Sequence, residues 1–191
     1  MAGDFQILVT NGDGLTGLPD SFYAFCVDLQ HWADTSAGAT LGSMAGWDLL
    51  DGVTDYQRLG ASYLANQYFS LYPDGSASNL TAAYYQVAIW ELLHERNPLK
   101  VTPFNVWSVT GGSTYFSSGT LTAGAQDLIR GIDTSSPLFT YAGHLITPDH
   151  DGYGQNFIAP VPTPVPDGGT TLMLLGGALI GLDLLRRRLR P

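Results

Sequence analysis

Asn79-Leu80-Thr81-Ala82-Ala83-Tyr84-Tyr85-Gln86-Val87-Ala88-Ile89-Trp90-Glu91-Leu92-Leu93-His94 is the stretch on which the reading of this chain turns. It predicts a helix from 80 to 95, opened by Asn79 as N-cap and closed before Pro98. Ala, Leu, Tyr and Trp occupy it nearly all the way round, so the helix is expected to be buried. Gln86 is the anomaly. At three- and four-residue offsets it shares a face with Ala82, Ala83, Ile89, Trp90 and Leu93, which aims its carboxamide into apolar surroundings. An unsatisfied buried amide costs roughly 1–3 kcal/mol. Either Gln86 bonds to nearby backbone, or chemistry has removed its polarity.

Working outward, alternation and turn residues predict strands at 4–10 and 21–29, a loop over Gly38 to Gly46 and a helix from about 55 to 69. Beyond the Gln86 helix, strands are expected near 104–109 and 113–117, a helix over about 122–132, and strands near 138–147 and 154–159. That pattern predicts an α+β domain over residues 1–159: a β-sandwich or barrel core with inserted helices.

The second strand carries the only cysteine, in Phe25-Cys26-Val27-Asp28-Leu29, sixty positions before Gln86. An aromatic-Cys strand followed by a helix with Gln86-Val87-Ala88-Ile89-Trp90 resembles the thioester domains of bacterial surface adhesins. Gly154-Gln155-Asn156-Phe157-Ile158 is similar to the closing strand of such domains. The resemblance implies that the Cys26 sulfur condenses with the Gln86 side chain, expelling ammonia. The resulting internal thioester is open to attack by an amine or hydroxyl on a target surface. This chain has Tyr85 where one family usage has Thr. A thioester hydrolyses if water reaches it freely, and Phe25, Tyr85 and Trp90, with Phe22, Tyr23 and Tyr84, are the aromatic neighbours expected to shield it. His31, His94 and His144 are candidates for a base near the incoming nucleophile, but none is assigned to the site.

Each residue also has an ordinary structural explanation. Free cysteine is among the most buried residue types, and a buried glutamine commonly satisfies backbone groups. Three function classes therefore stand side by side: covalent capture through a Cys26–Gln86 thioester; a noncovalent structural or carbohydrate-binding envelope module in which the two only pack; and a cysteine hydrolase or acyltransferase with Cys26 as nucleophile and a base such as His94. The third ranks last, because a cysteine buried among aromatics is poorly placed as a nucleophile. The protein is not expected to be a turnover enzyme.

Composition favours an extracytoplasmic module. Charged residues are 13%, and Lys100 is the only lysine. The first 165 residues hold fifteen acidic side chains against four basic ones, while the last 26 hold four arginines against two aspartates. An acidic body argues against nonspecific nucleic-acid binding, which needs basic patches to neutralise phosphates. One cysteine excludes an intrachain disulfide framework. No Walker loop, dinucleotide fingerprint, nucleophile elbow or zinc-spaced Cys/His set occurs, and no cofactor or metal is expected. Asp149-His150-Asp151-Gly152 lacks the further ligands of a calcium loop and reads as a polar turn.

At the C-terminus, a Pro-rich linker over 160–165 is followed by Val165-Pro166-Asp167-Gly168-Gly169, an uncharged Leu- and Gly-rich run from Thr170 to Leu182, and Arg186-Arg187-Arg188-Leu189-Arg190. The apolar run predicts a short transmembrane helix, marginal against the ~20 residues of a full span, with Arg186, Arg187, Arg188 and Arg190 as the membrane stop. Motif, apolar run and terminal arginines resemble the exosortase-recognised sorting signals of the PEP-CTERM class, in the Val-Pro-Asp variant. The resemblance implies export, anchoring in the inner membrane by residues 166–191, processing by an exosortase-type enzyme, and transfer to the cell envelope, surface or extracellular matrix. Met1-Ala2-Gly3-Asp4 leads straight into a strand-like run with no basic n-region. The chain is therefore expected to start inside its gene and to lack its true signal peptide.

Overall fold

The computed structural model describes residues 4–8, 21–29, 39–42, 44–46, 53–73, 75–95, 109, 119–141, 144–148 and 155–159. Five strands run β1 (Asp4–Leu8), β2 (Ser21–Cys26), β3 (Ala39–Gly42), β4 (His144–Pro148) and β5 (Phe157–Ala159). Three α-helices run α1 (Asp55–Leu71), α2 (Asn79–His94) and α3 (Gly119–Arg130), with one 3-10 turn at Met44–Gly46.

The strands form one antiparallel sheet in the order β1-β2-β5-β4-β3. β1 and β3 stand at opposite edges of it. The expected β-sandwich or barrel is therefore incorrect: among the described residues there is a single open sheet packed with three helices. Two of the strands that would have filled a second sheet, 104–109 and 113–117, lie outside the described residues except Val109, which sits buried in a turn. The expected strand over 138–147 begins only at His144, because turn chemistry holds what precedes it. Asp133 Oδ1 accepts from the Ser135 backbone at 2.9 Å and from its hydroxyl at 2.7 Å, and Ser136 Oγ accepts from Leu138 N at 3.2 Å. Asn66 of α1 then ties this segment down through the Leu138 and Thr140 carbonyls. Conversely, part of the expected 38–46 loop pairs as β3 with β4.

No helix among the described residues is long and apolar enough to cross a membrane. The expected transmembrane helix, like the rest of 160–191, lies outside the described residues, as do His31 and the Asp149–Gly152 turn.

Strand alternation sorts the core into two clusters. Phe25, Val27, Leu145 and Ile158 face α1, α2 and α3 in the larger one. Phe22, Ala24, Cys26, Ile146, Phe157 and Ala159 form the smaller one, against which Trp90 packs. Helix ends are set by side chains. Ser78, one residue earlier than expected, caps α2 by accepting from Thr81 N at 3.1 Å. Thr54 and Gln57 make a capping box at the start of α1. Gln57, itself buried, also donates to the Leu92 and Glu95 carbonyls, both at 2.8 Å, at the far end of α2.

Candidate functional site

β2 presents two different sides at its C-terminal end. The Val27 amide donates to the Asn156 carbonyl at 2.9 Å, toward β5, so the Cys26 amide and carbonyl one residue earlier point the other way, toward β1. The described pairing of β1 stops at Asp4 opposite Phe25. There the Gln86 carboxamide takes the place a neighbouring peptide would have. Cys26 N donates to Gln86 Oε1 at 3.0 Å, and Gln86 Nε2 donates to the Cys26 carbonyl at 2.6 Å. Cys26 and Gln86 are both fully buried. The helix places Gln86 there because Ala82, Ala83, Ile89 and Leu93 around it are buried, and small alanines let α2 come close.

The sulfur itself is turned along the chain. The Cys26 thiol donates to the Asp28 carbonyl at 2.9 Å, and the Asp28 amide donates back to the sulfur at 3.4 Å. Gln155 Nε2 donates to the same Asp28 carbonyl at 2.8 Å. Burial pushes the thiol up to about 12, against the opposing pull of the Asp28 backbone and of the Trp90 and Gln155 side chains beside it. The thiol is thus neutral in the folded protein at ordinary pH.

The structure brings Cys26, Gln86 and Trp90 together. Phe25 and Tyr85 lie on the opposite side of β2 from the sulfur, since neighbouring strand residues face opposite ways. There they join an aromatic group with Tyr68, whose centroid is 4.7 Å from Phe25 and 5.1 Å from Tyr85. Burial raises the Tyr85 hydroxyl to about 12, and that hydroxyl donates to Gln67. Of the other aromatics, Phe22 shares the sulfur's cluster, whereas the Tyr23 ring lies against Gly75 and the Tyr84 ring against Gly124. Sequence reasoning named 154–158 as a closing strand but gave Phe157, Ile146, Asp28, Gln155 and Asn156 no place at the site; the Cys26–Phe157 register that gathers them is a long-range pairing. His94 Nε2 lies 3.1 Å from the Val27 carbonyl, at the margin of the site, and His144 is in β4 opposite Ala159.

A separate open cleft of about 370 Å³ is lined by Gln67, Tyr84, Gly124, Asp127, Leu128 and Gly131 and shares no residue with the Cys26–Gln86 pair. No group of three or more metal-ligating side chains forms among the described residues.

Comparison with protein families matches residues 164–189 to the VPDSG-CTERM motif. No curated protein and no solved structure matches the chain. The match spans Val165, Pro166, Asp167, Gly168, Gly169 and the arginines Arg186, Arg187 and Arg188, with Arg190 just outside it. It supports a C-terminal sorting signal on an exported protein, consistent with processing by an exosortase-type enzyme.

Proposed function

We propose that this is an exported cell-surface or matrix protein that forms an internal thioester between Cys26 and Gln86 and uses it once, to attach covalently to an amine- or hydroxyl-bearing surface molecule or matrix polymer. The observation that carries the reading is the two-point hydrogen bonding of the Gln86 carboxamide to the Cys26 peptide in a buried site. It holds the amide carbon beside the residue whose sulfur would attack it.

The chemistry balances without a redox partner. The Cys26 sulfur adds to Gln86 Cδ, the Cδ–Nε2 bond breaks, and the nitrogen leaves as ammonia carrying the thiol proton. The Cys26 amide, 3.0 Å from Oε1, is placed to donate to the negative charge that develops on that oxygen. An amine then adds to the same carbon, the C–S bond breaks, and the proton lost by the amine returns to sulfur. The product is an amide on Gln86 and a free Cys26. Because the acyl group is consumed, capture is stoichiometric.

A noncovalent structural or carbohydrate-binding envelope module is the second reading. The thiol's own bond to Asp28 and the fully paired carboxamide favour it, since both groups are satisfied without reacting. Intact mass of the full chain, purified without amine buffers, separates the two. A mass lower by one ammonia, converted by methylamine to an adduct on Gln86 with a newly titratable Cys26, supports the thioester. A full mass with Cys26 free from the start refutes it.

A further inference from the structure

β2 ends at Cys26, so no strand pairing fixes the Asp28 peptide that holds the sulfur from both sides. What fixes it comes from the chain entering β5. Asn156 accepts from Val27 N at 2.9 Å and approaches the Asp28 carboxylate with its amide at 3.5 Å. Gln155 donates to the Asp28 carbonyl at 2.8 Å, sharing that oxygen with the Cys26 thiol. Gln155 is only half-buried, whereas Asp28 and Asn156 are buried.

From this arrangement we propose that Gln155 is a positioning residue for the Cys26 sulfur, acting through the carbonyl of Asp28; the proposal rests on the thioester reading for its consequence but not for its geometry. By donating to the Asp28 oxygen, the Gln155 amide locks the carbonyl in place as the fixed acceptor of the Cys26 thiol. The sulfur is thereby held in one rotamer until it adds to Gln86. The Gln155 amide also opposes the upward push of burial on the thiol, as a nearby donor should.

The test uses the full chain in two backgrounds. With Gln86 present, the rate of ammonia loss on refolding is followed by intact mass in the parent and in Gln155→Met, which keeps the side chain's bulk without its amide. Roughly a fivefold slowing is expected, the equivalent of one hydrogen bond. With Gln86→Glu, which keeps the thiol free, the Raman S–H stretch is compared with and without Gln155→Met. A shift to higher frequency is expected as the thiol loses a fixed acceptor. Gln155→Glu, which sets a carboxylate against the Asp28 oxygen, should shift the band the same way, and it serves if the methionine variant does not fold. An unchanged S–H band in the folded variants overturns the proposal. A parent chain that loses no ammonia refutes the thioester instead, and the Raman comparison still decides the role of Gln155.

Discussion

Gln57, in the first turn of α1, closes the last turn of α2 by donating to the Leu92 carbonyl 35 residues away. The same side chain accepts from Thr54 N at 3.0 Å and donates to the Glu95 carbonyl at 2.8 Å, so one carboxamide satisfies two helix ends. Replacing it removes these hydrogen bonds at both. Gln57→Leu is expected to lower stability by ~2–4 kcal/mol, the sum of a lost cap and the lost bonds to the carbonyls. Urea denaturation should show a lower midpoint with an unchanged slope.

The contact between α2 and α3 is set by the Tyr84 ring against Gly124, where an added Cβ would stand 2.6 Å from ring atoms. Gly124→Ala should therefore destabilise by ~1–3 kcal/mol through overpacking, although alanine is the better helix former. A double-mutant cycle checks the cause: in a Tyr84→Ala background the same substitution should be neutral or stabilising.

Gly75, between α1 and α2, has φ +69° and carries the Tyr23 ring against its α-carbon. A side chain there meets both a disfavoured backbone and an occupied space. Gly75→Ala is expected to cost at least ~1 kcal/mol, and Tyr23→Ala should recover only the steric part, measured as melting temperatures of the two single variants and the double.

Alkaline pH tests the burial of Cys26. The thiol's ordinary value of 9.0 is pushed up to about 12, so above pH 9 the unfolded chain gives up a proton that the folded chain keeps. Stability is fully present below 9 and falls as pH rises through the interval up to about 12. The slope is at most ~1.4 kcal/mol per pH unit for one proton. Tyr85, raised from 10.0 to about 12, adds its own loss only above 10. Urea titrations between pH 9 and 10 should show the slope in protein whose thiol is free and not in Cys26→Ala. Protein in which the sulfur is acylated should also lack it, which gives a second and purely thermodynamic assay for the thioester.

Much of the helical part was legible because its signals are local. The nearly all-round apolar run of α2, the Asp55 start of α1 and the oddity of Gln86 all lie within a few turns of sequence. The sheet was not. β3 has a glycine-containing, four-residue sequence that only its pairing with β4 makes a strand, and Leu138-Phe139-Thr140 has strand-like residues that Asp133, Ser136 and Asn66 hold in turns. At the site, the order of Cys26 and Gln86 could be read from sequence, and the facing of Phe25 away from the sulfur follows from strand alternation, but the arrival of Gln155 at Asp28 depends on a contact that spans 127 positions.

The strand at the middle of the sheet, β5, is the last described strand in the chain, and β2 and β4 both wait for it. A protein threaded across a membrane from its N-terminus would therefore carry an open seam until residues 157–159 emerged, only a few positions ahead of the sorting motif. Completion of the sheet and enclosure of Cys26 would then come just before the tail, so a chain cut short before β5 has neither a completed sheet nor the sorting motif.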